Sequence, residues 1–144
     1  MFFSRYEHTI DEKGRMTIPS RYREELADGA FVTLGFDKNL IVLPDTAFQK
    51  LSTRISDTSL TDSEARSLKR HVYANAEPVE LDKAGRILIP LWLREEIGLT
   101  ANAVVIGAGE YFEIWTPEEW KKEKTENQNP DSISKRYADF NIPL

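Results

Sequence analysis

The chain has 144 residues, no cysteine and a formal net charge of −5. This length suits one ordinary domain or two small ones packed together, and the absence of cysteine excludes disulfides, thiolate metal sites and cysteine nucleophiles. The acidic balance argues against a typical single nucleic-acid-binding domain, because such domains are basic overall.

Nothing near the N-terminus resembles a targeting segment. The first residues, MFFSRYEH, have no basic flank followed by an apolar run, so we expect no signal peptide. No stretch approaches the roughly 18 apolar residues that a membrane-spanning helix requires. We therefore expect a cytoplasmic protein without a membrane partner.

The dominant feature is an internal repeat. Residues 11–26 read DEKGRMTIPSRYREEL and residues 82–97 read DKAGRILIPLWLREEI. At a constant spacing of 71 residues, eight of the sixteen positions are identical. In the first copy these are Asp11, Gly14, Arg15, Ile18, Pro19, Arg23, Glu24 and Glu25. One structural unit therefore occurs twice.

Each copy begins with a strand, over Phe3 to Ile10 or Val79 to Leu81, followed by Asp-x-x-Gly. Asp hydrogen-bonds the backbone two residues on and Gly adopts positive φ, so this pattern predicts a turn. A second strand, RMTI or RILI, ends at a proline that suits the first turn of a helix. The turn-forming residues are Asp11 and Gly14 in the first copy and Asp82 and Gly85 in the second.

The repeat continues more loosely beyond this unit. FVTLG and NLIVLP in the first copy, and AVVIG and YFEIWTP in the second, predict further strands, with a helix after each final proline. The repeats thus cover residues 5–50 and 76–121, and neither could bury a sufficient core alone. Within residues 56–76, Ala65, Leu68 and Val72 recur at helical spacing and predict a linking helix over 62–75. Residues 127–144 have weak periodicity, which predicts a poorly ordered tail.

Few residues suggest catalysis. Neither histidine has a nucleophile at a telling spacing, and no glycine loop could cradle a phosphate. We therefore expect no catalytic residue, no metal, no cofactor and no small-molecule substrate. The runs Arg23-Glu24-Glu25 and Arg94-Glu95-Glu96 are typical of the solvated face of a short helix.

Arg15 and Arg86 each follow the turn glycine and allow two interpretations. One is an exposed salt bridge to Asp11 or Asp82, which contributes only about 0–1 kcal/mol. The other is a planar, permanently charged fork that grips phosphates or a guanine edge. The residues alone do not decide between them.

The copies differ at the start of the helix, where Ser20 and Arg21 are replaced by Leu91 and Trp92. One interpretation is a more buried second helix. The other is a subunit interface formed by Leu91 and Trp92, since exposed apolar patches often mark partner surfaces.

The repeated unit closely resembles the swapped-hairpin DNA-binding element of AbrB-like regulators and MazE-like antitoxins, and two copies in one chain resemble the MraZ family. The resemblance covers about residues 1–120 and implies an α+β, mainly β fold: two swapped-hairpin repeats interleaved into one pseudo-two-fold β-barrel with short flanking helices. It also implies a DNA-binding transcriptional regulator, usually a repressor, of the division and cell-wall gene cluster that includes its own gene.

The resemblance further implies a nucleoid-associated ring of several subunits that contacts direct repeats in double-stranded DNA. The DNA-contacting role falls on Arg15 and Arg86, with Lys13 and Lys83 as basic neighbours. These lysines do not align, because Lys13 pairs with Ala84 and Lys83 with Glu12. The alternative is an antitoxin-like module that binds a protein partner, with DNA binding secondary.

Overall fold

The computed structural model describes residues 1–127 and 129–143. Over these ranges the chain is an α+β structure dominated by sheet. The strands are β1 (Arg5–Thr9), β2 (Arg15–Thr17), β3 (Ala30–Leu34), β4 (Leu40–Pro44), β5 (Glu77–Val79), β6 (Arg86–Leu88), β7 (Asn102–Gly107) and β8 (Phe112–Trp115). The helices are α1 (Ser20–Arg23), α2 (Asp45–Ser56), α3 (Ser63–Tyr73), α4 (Leu91–Ile97), α5 (Pro117–Asn127) and α6 (Pro130–Arg136). In the described part of the chain, no helix has the length and apolar character to cross a membrane.

Six strands form one antiparallel sheet in the order β1-β7-β8-β4-β3-β5, and β2 pairs with β6 in a separate two-stranded sheet, called the ribbon below. The predicted closed barrel is not confirmed, because β1 and β5 lie at opposite edges of an open sheet. The sheet stays open because β2 and β6 pair with each other and do not join its edge strands. A single bridge between Ile10 and Met16 connects the ribbon to the end of β1.

The strand pairing interleaves the two repeats, as predicted. β1 of the first repeat pairs with β7 of the second, with Glu7 opposite Val104. β5 of the second repeat pairs with β3 of the first, with Ala30 opposite Val79. The strands on either side of each turn therefore take most of their hydrogen bonds from the other repeat.

Two apolar cores lie on opposite faces of the sheet. The larger one packs alternate sheet residues such as Val32 and Val105 against the inward-facing middle residues of the ribbon, Met16 and Ile87, all at most 1% exposed. The smaller one packs the other face of β3 and β4 against α2 and α3, with Phe31 stacked on Phe48 at 4.1 Å. The ribbon thus lies on one side of the sheet, and α2 and α3 lie on the other.

The linking segment and the tail each contain a helix. α3 begins at Ser63 and ends at Tyr73, slightly inside the predicted bounds, and Asp62 caps it by accepting a hydrogen bond from the Glu64 backbone at 2.9 Å. The tail contains α6, which Asn129 caps and which buries none of its residues. Gln128 and Leu144, which the sequence assigns to this tail, lie outside the described residues.

Candidate nucleic-acid interface

The turn of the first repeat, residues 11–15, is closed by its aspartate and its glycine. The Asp11 carboxylate accepts hydrogen bonds from the backbone N–H of Lys13 at 3.0 Å and of Arg15 at 2.9 Å. Gly14 donates its N–H to the Asp11 carbonyl at 2.9 Å and has φ +90°, which favours a residue without Cβ. We call this turn the first tip.

The second tip, residues 82–86, reproduces this geometry. Asp82 accepts from the backbone N–H of Ala84 and of Arg86, both at 2.9 Å. Gly85 has φ +76° and donates to the Asp82 carbonyl at 3.0 Å. The Asp-x-x-Gly pattern therefore builds the same turn twice.

Each tip also holds the ion pair that the sequence suggested. Arg15 Nε lies 2.6 Å from Asp11 Oδ2, and Arg86 Nε lies 2.8 Å from Asp82 Oδ2. The backbone N–H of the arginine and then its side chain hold the pKa of each aspartate below its usual range. A guanidinium has five N–H donors, so a contact through Nε leaves the four donors of the terminal amino groups for another acceptor.

The tips of the two repeats are held by arginines that cross between them. The Arg94 guanidinium lies against Gly14, where an added Cβ would come within 2.6 Å of it. The Arg23 guanidinium lies against Gly85 in the same way, and a Cβ added at Gly85 would come within 2.5 Å of it. Each glycine therefore leaves room for a side chain of the other repeat.

These arginines are anchored and half-buried. Arg23 Nε donates to the Ile18 carbonyl at 3.0 Å, and Arg94 Nε donates to the Ile89 carbonyl at 2.9 Å. The interpretation of Arg23 and Arg94 as part of a solvated face is therefore wrong. Their identity in both copies was the sequence signal that could have revealed a shared structural role.

The outward face of the ribbon presents four side chains. Arg15 lies opposite Leu88, and Thr17 lies opposite Arg86. Thr17 and Leu88 are exposed, and the two arginines are half-buried against their aspartates. The ribbon thus brings one arginine of each repeat onto a single accessible surface.

The other predicted site residues are accessible, but they are not equivalent in the two repeats. Lys13 and Lys83 are exposed and occupy different positions of their tips. Leu91 and Trp92 are 57% and 41% exposed, which does not fit a helix turned more deeply into the core at these positions. No cluster of three or more metal-ligating side chains occurs within residues 1–127 and 129–143.

Comparison with known proteins agrees with the repeat architecture. The family model described as "MraZ protein, putative antitoxin-like" matches residues 1–71 and again 72–141. The chain belongs to the MraZ family. The boundary between its two matches falls inside α3, which connects the two halves of this MraZ-family chain.

Curated relatives match over most of their length. "Transcriptional regulator MraZ" of Herpetosiphon aurantiacus is 44% identical, over 84% of this chain and 85% of its own. The protein of the same name from Thermomicrobium roseum is 41% identical over 96% and 98%, and that from Leuconostoc citreum is 39% identical over 99% and 100%. Their shared name is that of a regulator, in agreement with the expectation that this MraZ-family chain is not an enzyme.

Proposed function

We propose that this chain is a sequence-specific regulator that binds double-stranded DNA through the ribbon and the two tips. The observation that carries the proposal is the outward ribbon face, on which one arginine from each repeat bonds its aspartate through Nε and so leaves its terminal amino groups for another acceptor. The major groove admits a two-stranded ribbon, and arginine is the residue that most often reads guanine there. Lys13, Arg15, Lys83 and Arg86 supply phosphate contacts at the tips, and the two arginines also reach base edges.

The proposed target is the promoter of the division and cell-wall gene cluster that includes the protein's own gene. The chain acts there as a repressor, in the cytoplasm and associated with the nucleoid, and it contacts direct repeats. Relatives named as transcriptional regulators support the regulatory part, and the resemblance of the repeated unit supports the rest.

An acidic chain needs more than one local contact to hold DNA. We propose a ring of several copies, in which the first contact raises the effective concentration of the next. Leu91 and Trp92 supply the interface between copies, because both are large, apolar and exposed at the start of α4. Arg23 and Arg94 add positive charge beneath the tips.

Fluorescence anisotropy on the protein's own promoter tests the DNA site. Arg15→Ala together with Arg86→Ala should weaken binding more than tenfold and reduce the salt slope by about two, since each phosphate contact contributes roughly one unit. The control, Arg70→Ala with Lys121→Ala, removes the same charge from exposed positions on α3 and α5. Unchanged affinity and slope in the first variant would exclude the tips and ribbon as the binding site.

Light scattering tests the interface. Trp92→Ser should lower the mass of the assembly, because it removes a large apolar contact. Arg21→Ser changes the equivalent position of the first repeat and should leave the mass unchanged. A wild-type mass for Trp92→Ser would mean that this residue does not hold the copies together.

The second candidate is an antitoxin-like module with a protein partner, which the description of the matching family model favours. Recovery of a stable stoichiometric protein partner, without footprints upstream of the chain's own gene, would support this candidate over the first. Footprints without such a partner would support the regulator.

A further inference from the structure

The outward face of the ribbon carries a two-fold relation that is broken at one pair of residues. The 71-residue spacing of the repeats maps Arg15 onto Arg86 and Thr17 onto Leu88. The ribbon register places all four on the same outward face, with Arg15 opposite Leu88 and Thr17 opposite Arg86. The arginines obey the pseudo-symmetry, whereas threonine and leucine do not.

The symmetry of a DNA-binding surface determines the symmetry of the DNA element that it recognises. Two equivalent arginines related by a two-fold axis fit a palindromic element equally well in both orientations. Thr17 offers a hydroxyl that can donate or accept, and Leu88 offers an apolar branch that is 54% exposed. A surface with these two different ends distinguishes the two orientations of a DNA segment.

Dimensions of the ribbon suit this role. Diagonal neighbours across an antiparallel pair are about 7–8 Å apart, which corresponds to roughly two base-pair steps of about 3.4 Å. Thr17 and Leu88 therefore reach different base pairs when the ribbon lies in the major groove. There a hydroxyl can bond to base edges, and an apolar side chain can contact the thymine methyl group.

We propose that Thr17 and Leu88 are specificity-determining residues, which make each chain read a short, non-palindromic DNA unit in one orientation. This inference rests on the proposed DNA-binding function. Copies of the chain that follow one another around a ring meet the DNA in the same sense, so a directional unit is read as direct repeats. Arg15 and Arg86 supply affinity to either orientation, and the threonine–leucine difference selects one.

Base-by-base competition on the operator tests the proposal. The probes are the own-promoter repeat with every single base-pair substitution and the same repeat with one unit inverted. Leu88→Thr should weaken the preference for thymine at one position by roughly tenfold. Thr17→Val, which replaces only the hydroxyl with a methyl group, should relax a different position about two base pairs away. Both variants should keep the wild-type salt slope, because no phosphate contact is lost.

The two symmetrised chains give the sharper readout. Leu88→Thr places threonine on both strands and Thr17→Leu places leucine on both, so each should bind the inverted unit within about twofold of the direct one. The exchange Thr17→Leu with Leu88→Thr should interchange the base preferences at the two positions, so that the inverted unit becomes the preferred one. Circular dichroism and light scattering on each variant establish that fold and mass are retained.

The outcomes separate this inference from the function on which it rests. If wild-type protein binds its promoter no better than unrelated DNA, the proposed function fails. If wild type discriminates but all variants keep its base preferences and orientation, the inference is overturned and the proposed function stands. If Leu88→Thr alters the mass of the assembly instead of the base preference, Leu88 is a contact between copies and the inference is again overturned.

Discussion

At the scale of single residues, the two repeats depend on each other most directly where a turn glycine contacts an arginine of the other repeat. Gly85 combines a positive φ with an arginine of the other repeat lying against it, whereas Gly98 has φ +70° and open space around its Cβ position. Gly98→Ala should therefore cost only the left-handed backbone strain, about 1–2 kcal/mol. Gly85→Ala should cost the same strain and, in addition, the displacement of Arg23 from the Ile18 carbonyl, about 1 kcal/mol more. Urea unfolding of the two variants measures the difference.

A double-mutant cycle identifies the cause of that difference. Arg23→Ala removes the side chain that the new methyl group would strike, so Gly85→Ala should cost less in this background than in wild type. The expected coupling is about 1 kcal/mol. Additive effects would mean that Arg23 does not support the second tip.

At the scale of elements, the sequence predicted the features that depend only on residues close together in the chain. Asp-x-x-Gly, a short strand, a proline and a helix follow one another as expected, because turn chemistry and proline geometry act locally. The contact of Arg23 with Gly85 joins residues far apart in the chain and depends on interleaving, which no local pattern expresses. The pairing of β2 with β6 was not predicted for the same reason, because the sequence of a three-residue strand does not indicate which strand it pairs with.

Protonation of the tip aspartates should loosen each tip at low pH. Bonds from the arginine backbone and side chain lower the pKa of Asp11 and Asp82. When the pKa of a carboxylate is lower in the folded state than in the unfolded state, its ionised form stabilises the fold. This stabilisation is fully present above the unfolded-state pKa, about 4, and is lost as the pH falls through the folded-state pKa. The amide proton shifts of Lys13 and Arg15 should therefore change together below about pH 4, and that of Arg86 should change with its own aspartate.

A single substitution assigns this transition to its tip. Asp11→Asn cannot ionise, so the amide shifts of Lys13 and Arg15 should lose their acid transition while Arg86 keeps its own. A transition that persists in the first tip of this variant would have to come from another group, and the aspartate would not control the turn.

At the scale of the whole molecule, neither half of the chain contains a complete sheet. β1 takes its hydrogen bonds from β7, β5 from β3, and β2 from β6, each across the repeat boundary. The larger core likewise draws Met16 and Ile18 from one repeat and Ile87 and Ile89 from the other. Duplication therefore converts an interface that two chains would share into the interior of one chain, and fixes the two tips relative to each other.

Fragment complementation tests this dependence. Cleavage between Asn75 and Ala76 separates the halves just after α3 without interrupting a helix or strand. The second fragment alone, which contains all three tryptophans, should lack the native fluorescence of Trp115, which is 3% exposed in the intact chain, because its strands have lost their partners and its apolar face is open to water. Mixing the two should restore both the fluorescence and a cooperative unfolding transition whose midpoint rises with concentration, since folding is now bimolecular. Native-like fluorescence of the second fragment by itself, at concentrations where it is monomeric, would show that one repeat can fold without the other.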